Sequence, residues 1–87
     1  MARYRLAFKR SVAKDLRTVP PRDVARILRR CEALAQDPRP PRCEKLSGQE
    51  KYRVRLACNR IIYEIHDDVL LITVVKVGHR HEAYRKR

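Results

Sequence analysis

Tyr4, Leu6 and Phe8 alternate with Arg3, Arg5, Ala7 and Lys9, the period of two that turns one side of a strand inward and the other to water. The period then lengthens. Between Lys9 and Leu16, Val12, Ala13 and Leu16 fall at helical spacing, and Val19-Pro20-Pro21 stops this short helix. A second helix begins at Pro21 or Asp23. Its apolar residues Val24, Ile27, Leu28, Cys31, Leu34 and Ala35 form one continuous stripe, and Arg22, Arg26, Arg29, Arg30 and Glu32 occupy the opposite side. Asp37-Pro38-Arg39-Pro40-Pro41 ends it and opens a structured linker.

Beyond the linker the pattern is that of a sheet. Tyr52 to Leu56 alternates, Ile61 to His66 follows a turn at Ala57-Cys58-Asn59, and Val69 to Val77 follows Asp67-Asp68. Links this short predict an antiparallel meander. Residues opposite one another on antiparallel strands share a face. Setting Arg55 against Arg60 therefore puts Arg53 against Ile62. Setting Ile65 against Leu70 puts Ile62 against Thr73 and Arg60 against Val75. One face then carries Val54, Ile61, Tyr63, Ile65, Leu70, Ile72 and Val74, the core beneath the helices. The other carries Arg53, Arg55, Arg60, Ile62, Glu64, Leu71, Thr73 and Val75. The expected fold is α+β: a twisted antiparallel sheet packed against an N-terminal helical hairpin, with residues 1–87 as one domain.

Composition narrows the function. The 87 residues include 22 Lys and Arg against 10 Asp and Glu, a formal charge of +12. Hydrophobic residues make up 44% and glycines number two, which excludes a disordered basic arm because enough apolar surface exists to offset chain entropy. A domain this small gains from a partner. Cys31, Cys43 and Cys58 are an odd set without C-x-x-C spacing, so neither a disulfide framework nor a zinc site is expected. The longest apolar run, Val69 to Val75, is far shorter than the roughly 20 residues that span a bilayer, and the chain carries charge from Arg3 onward. The reading is a soluble cytoplasmic protein with no membrane partner, no metal and no cofactor.

Sixteen of the basic residues are arginine, whose planar fork matches phosphate better than the point charge of lysine. Nucleic acid is thus the first partner to consider. Three arginines on adjacent strand positions repel one another, so Arg53, Arg55 and Arg60 suggest an anion site. The plainer alternative is a solvated basic face partly balanced by Glu64 and Glu50. After the last strand, Val77-Gly78-His79-Arg80-His81-Glu82-Ala83-Tyr84-Arg85 gathers two histidines, two arginines and a tyrosine, in a position where loops often carry function.

Tyr52-Arg53-Val54-Arg55, Asn59-Arg60-Ile61-Ile62-Tyr63-Glu64-Ile65, Val77-Gly78-His79-Arg80 and Tyr84 together resemble the RelE/ParE toxin superfamily, in particular its RelE branch. The likeness extends over almost the whole chain, including the opening strand, the helices and Lys45-Leu46-Ser47-Gly48. It implies a compact RelE-like, microbial-RNase-like fold. The activity implied is a toxin that enters the ribosomal A site, cuts messenger RNA there without a metal, and is silenced by an acidic, RelB-like cognate antitoxin in a hetero-oligomer. By position, Arg60 and Arg80 match the family's catalytic arginines and Tyr84 its C-terminal tyrosine. Arg53 and Arg55 match basic strand positions, often lysine in relatives, for RNA and ribosome binding. Lys45 matches a basic position at the ribosome-facing rim.

Such a reaction needs these residue types. Attack of a 2′-hydroxyl on its neighbouring phosphate builds negative charge at phosphorus, and fixed guanidinium groups stabilise that charge more than the ground state. Arginine does not give up its proton, so Arg53 and Arg55 are poor bases. That leaves His79, His81, Tyr84 or Glu64 to take the proton, with His79 favoured by an ordinary pKa of about 6.5, or else a slow reaction driven mainly by geometry and charge. Two other classes fit the charge: a ParE-like, non-catalytic inhibitor of DNA gyrase, and a basic RNA-binding module that makes phosphate contacts only.

Overall fold

The structure is a computed structural model that describes residues 3–46 and 50–79. The elements run β1 (Arg5–Phe8), α1 (Arg10–Leu16), α2 (Pro21–Gln36), β2 (Glu44–Lys45), β3 (Lys51–Leu56), β4 (Asn59–His66) and β5 (Leu71–His79). The strands form one sheet in the order β1-β5-β4-β3-β2. Among the described residues no helix is long and apolar enough to cross a membrane.

Local chemistry sets the helix limits. Pro21 stands at the first turn of α2, where its missing N–H costs nothing, and Asp23 adds negative charge at the positive end of the helix. Most of the stripe read from the sequence is buried, but Leu28, at the edge of that stripe, is 39% exposed. Ile27, Cys31 and Leu34 pack with Val12 and Val19 against Val54, Ile61, Tyr63, Ile72, Val74 and Val77 of the sheet. Burial pushes the Cys31 thiol up to about 12, which makes it a packing group, while Cys58 is exposed in the β3–β4 turn.

The α+β architecture holds, with one strand differing in sense. Strands β2 to β5 pair antiparallel, but β1 lies parallel to β5, with Arg5 level with Leu71 and Phe8 with Val74. Between them the chain runs through both helices and then β2 to β4, ample for the long return that a parallel neighbour needs. The sheet is therefore mixed.

The β4–β5 register also differs from the expected one. The turn spans Asp67 to Leu70, so Ile65 pairs with Ile72 rather than Leu70. A slip of two residues leaves the facing unchanged. Leu70 itself leaves the core: it is 42% exposed, with φ at 52°, and its carbonyl accepts the Arg5 N–H at 2.8 Å. Further along, a bulge between Ile62 and Tyr63 adds Val75 to β5. Strict alternation from Ile72 and Val74 would bury Lys76 and expose Val77. The extra residue reverses this, and Val77 is 1% exposed. Consequently Ile62 faces Lys76, not Thr73, and Arg60 faces Gly78, not Val75.

A polar latch ties the linker after α2 to the sheet. The Tyr63 hydroxyl donates to the Pro38 carbonyl at 2.7 Å, and its ring stacks on Tyr52 at 5.9 Å. Arg39 lies 5.4 Å above the Tyr52 ring and reaches Asp67 at 2.9 Å, where the Tyr4 hydroxyl also donates at 2.5 Å. Arg39 first, then Tyr4, holds the Asp67 carboxyl below its ordinary 3.8. A carboxyl depressed on folding adds stability at neutral pH and loses it as pH falls through its folded value. Wild type is thus expected to lose melting temperature as pH falls below about 4, and Asp67→Asn to lose less over the same range. Thermal melts at stepped pH check this. Equal slopes in the two proteins would contradict it.

Candidate functional site

The helices cover one side of the sheet and leave the other open. Arg53 and Arg55 alternate outward from β3, while Val54 between them is fully buried. The β3–β4 link is a two-residue turn, Ala57-Cys58, closed by Leu56 opposite Asn59. That turn sets Arg55 directly opposite Arg60 and Arg53 opposite Ile62, as the sequence predicts. Like charges facing across a sheet cost stability, so these positions hold two arginines against the preference of the fold.

The acidic residues nearby serve other cations. Glu44 on β2 lies level with Arg53 and pairs with it, and Arg53 holds the Glu44 carboxyl below its ordinary range. Glu64 sits 3.9 Å from Lys51 and 3.3 Å from His66, and Glu50 lies 3.8 Å from Lys45. Among the described residues, no carboxylate comes within ion-pairing distance of Arg55 or Arg60. Glu64 and Glu50 thus balance lysines, not this pair. Glu64 is also four residues along β4 from Arg60, about 13 Å at strand rise, too far for both to serve one phosphate.

Gly78 completes the described part of the site. It pairs with Arg60, and a Cβ built on it would meet nothing within 4 Å, so open space adjoins Arg60. Asp15 of α1 fixes this end of β5. Its carboxylate accepts the Val77 N–H at 3.2 Å and lies 3.8 Å from Lys76, taking the place of a neighbouring strand where β1 has ended.

The structure brings together Arg53, Arg55 and Arg60. Lys45 stands apart, level with Tyr52, whose ring belongs to the helix-side packing. The backbone of His79 pairs with Asn59 at the end of β5. Arg80, Tyr84 and His81 lie outside the described residues. No group of three or more His, Cys, Asp and Glu side chains that would hold a metal occurs among the described residues. Glu44 and Asp15 escaped the sequence reading. Glu44 acts through a two-residue strand with no periodicity to detect, and Asp15 through an edge contact with a residue 62 positions away.

Fold and site together define a basic, RelE-like α+β domain whose open sheet face carries two opposed arginines without an ion-pair partner among the described residues. Residues 6–84 match the family model of the ParE toxin of type II toxin–antitoxin systems, and the chain belongs to that family, within the RelE/ParE superfamily. It is 28% identical over 87 residues to a Methanocaldococcus jannaschii protein assigned as the toxin RelE1, covering 95% of this chain and 97% of that one. Among solved structures it is similar to the archaeal RelE–RelB complex from Pyrococcus horikoshii, with TM-score 0.78 and 29% identity over 88% of this chain and 94% of that one. The toxin–antitoxin complex RelBE2 from Mycobacterium tuberculosis shares the fold, with TM-score 0.83 and 24% identity over 92% and 94% of the two chains.

Proposed function

We propose that this toxin halts translation by cutting messenger RNA in the ribosomal A site, in the cytoplasm, and that a RelB-like antitoxin holds it inactive in a hetero-oligomer. The observation that carries the reading is the Arg55–Arg60 pair, opposed in register and with no carboxylate within ion-pairing distance among the described residues. Arg60 would bind the scissile phosphate and stabilise the charge that develops as the 2′-hydroxyl attacks. Arg80 would assist the same charge and the departing 5′-oxygen, Tyr84 would stack on the scissile nucleotide, and His79 would take the proton. Arg53, Arg55 and Lys45 would hold RNA and ribosome through phosphate contacts. No metal enters this scheme. The RelB-containing complexes of similar structures support the antitoxin partner, for which Ile62, Leu71 and Val75, half-buried on the open face, offer apolar contacts rimmed by charge.

The ParE family match favours a second reading, inhibition of DNA gyrase without RNA cleavage. Parallel assays separate the two. Added to a cell-free translation reaction and to a gyrase supercoiling reaction, the protein is expected to stop the first and leave the second running. The reverse result would establish the gyrase reading.

Gly78 provides a sharper check. Gly78→Ala is expected to leave the fold as stable as wild type or firmer by up to about 1 kcal/mol, since a strand glycine gives up packing and entropy, and no atom stands where the methyl group would go. The same methyl occupies space beside Arg60 and is expected to slow single-turnover cleavage by about tenfold or more, because small displacements of a bound phosphate are costly. Thermal melts and single-turnover rates on one preparation test both parts. An unchanged rate would remove Gly78 from the site.

A further inference from the structure

The open sheet face leaves one group of cations unused. Arg22, Arg26, Arg29 and Arg30 stand at i, i+4, i+7 and i+8 on α2, one helical face extending about 12 Å along the axis. The opposite face of α2 packs into the core, so these arginines look away from Arg55 and Arg60. None has a carboxylate within ion-pairing distance among the described residues. The face contains no lysine, and a merely solvated helix surface gains nothing from four arginines that repel one another.

The stripe also has a concave part. Arg26, Arg29, Arg30, Ala33 and Leu56 line a shallow groove of about 350 Å³, largely open to solvent. Leu56 ends β3 beside Arg55, and alternation sends the two side chains to opposite sides of the sheet. The groove therefore adjoins the same end of the sheet as the open-face arginines, on the other side. The Arg30 Nε is shut off from water and bonds to nothing among the described residues, a stranded donor that costs free energy. Turning that guanidinium into the groove toward an anionic oxygen removes the cost.

We infer that the Arg26–Arg29–Arg30 groove is a second phosphate-binding surface, which takes the sugar–phosphate backbone of RNA on the side of the molecule opposite the arginine pair. Guanidinium forks grip the phosphates and the Leu56–Ala33 floor receives the ribose. The inference rests on the proposed RNA-directed function for its choice of polyanion, though not on cleavage.

The test is a fluorescence titration of the full chain with a labelled 2′-O-methyl RNA of about 20 nucleotides, repeated across salt concentrations. This probe lacks the attacking hydroxyl, so the titration reads binding alone. R26Q/R29Q removes two exposed, unpaired cations and is expected to melt like wild type. It is expected to bind about tenfold more weakly, with a salt slope shallower by about 1.4, or about 0.7 for each lost phosphate contact. R10Q/R17Q, the same charge change at the two ends of α1, is expected to show less than half of either effect. Equal losses in the two variants would reduce the effect to net charge and overturn the inference. Unchanged RNA binding by R26Q/R29Q would overturn it too, and weakened binding of poly-glutamate by that variant would then assign the groove to an acidic polypeptide. Failure of messenger RNA cleavage on ribosomes would sink the proposed nuclease while leaving this surface standing.

Discussion

Arg60→Gln is expected to slow single-turnover cleavage by about 10²–10³-fold, the loss typical of removing one preorganised donor from a developing oxyanion. The role proposed for Arg60 draws on its backbone position. It sits second in β4, half-buried, with Arg55 on one side and the side-chain-free Gly78 on the other. No described carboxylate neutralises it, so its charge is available to a ligand. Glutamine keeps a polar, hydrogen-bonding end on a shorter side chain and removes the charge. Because the substitution also removes a like-charge contact, stability is expected to rise by about 0.2–1 kcal/mol. A slower reaction in a firmer protein is a signature that unfolding cannot produce. Rates measured beside thermal melts decide it, and a wild-type rate in Arg60→Gln would strike Arg60 from the catalytic group.

The second large effect concerns the fold. Tyr63 has no exposed surface and is among the largest fully buried side chains. It spans from the core to the linker, donating its hydroxyl to the Pro38 carbonyl and stacking on Tyr52. Burial holds its phenol above its ordinary pKa, which keeps it a donor throughout the working pH range. Tyr63→Ala opens a cavity and is expected to cost about 3–5 kcal/mol, most of the margin of a domain this size. Tyr63→Phe keeps the ring and loses the bond to Pro38, at about 1–2 kcal/mol. Urea denaturation of the two variants measures both. A Tyr63→Phe midpoint equal to wild type would mean that the Pro38 contact contributes nothing.

Much of this was legible from residue spacing. The buried stripe of α2 is visible because Ile27, Cys31 and Leu34 repeat at helical period among arginines, and no tertiary contact is needed to see it. Arg53, Arg55 and Arg60 could be placed on one face because setting Arg55 against Arg60 across a short turn carries Arg53 and Ile62 with them, although Asn59, read as part of that turn, opens β4 opposite Leu56. The same arithmetic fails across the next turn. Asp67 is engaged by Tyr4 and Arg39, the turn lengthens to Leu70, and the Val75 bulge restores an alternation that Lys76 and Val77 would otherwise break. Such a bulge is decided by which of two adjacent residues belongs in water, and only the whole sheet reveals that. The parallel sense of β1 depends on how the helices return the chain. The Glu44 pairing with Arg53 depends on a strand of two residues. Arg80 and Tyr84 were read from a motif and lie outside the described residues.

The central claim is that this toxin cleaves messenger RNA on the ribosome through guanidinium groups on its open sheet face. The most direct measurement is single-turnover incubation of the purified protein with end-labelled messenger RNA, free and programmed into ribosomes, with the new ends mapped on a gel. The account predicts cuts in the A-site codon on ribosomes, each leaving a 2′,3′-cyclic phosphate end. Intact messenger RNA on programmed ribosomes would contradict it.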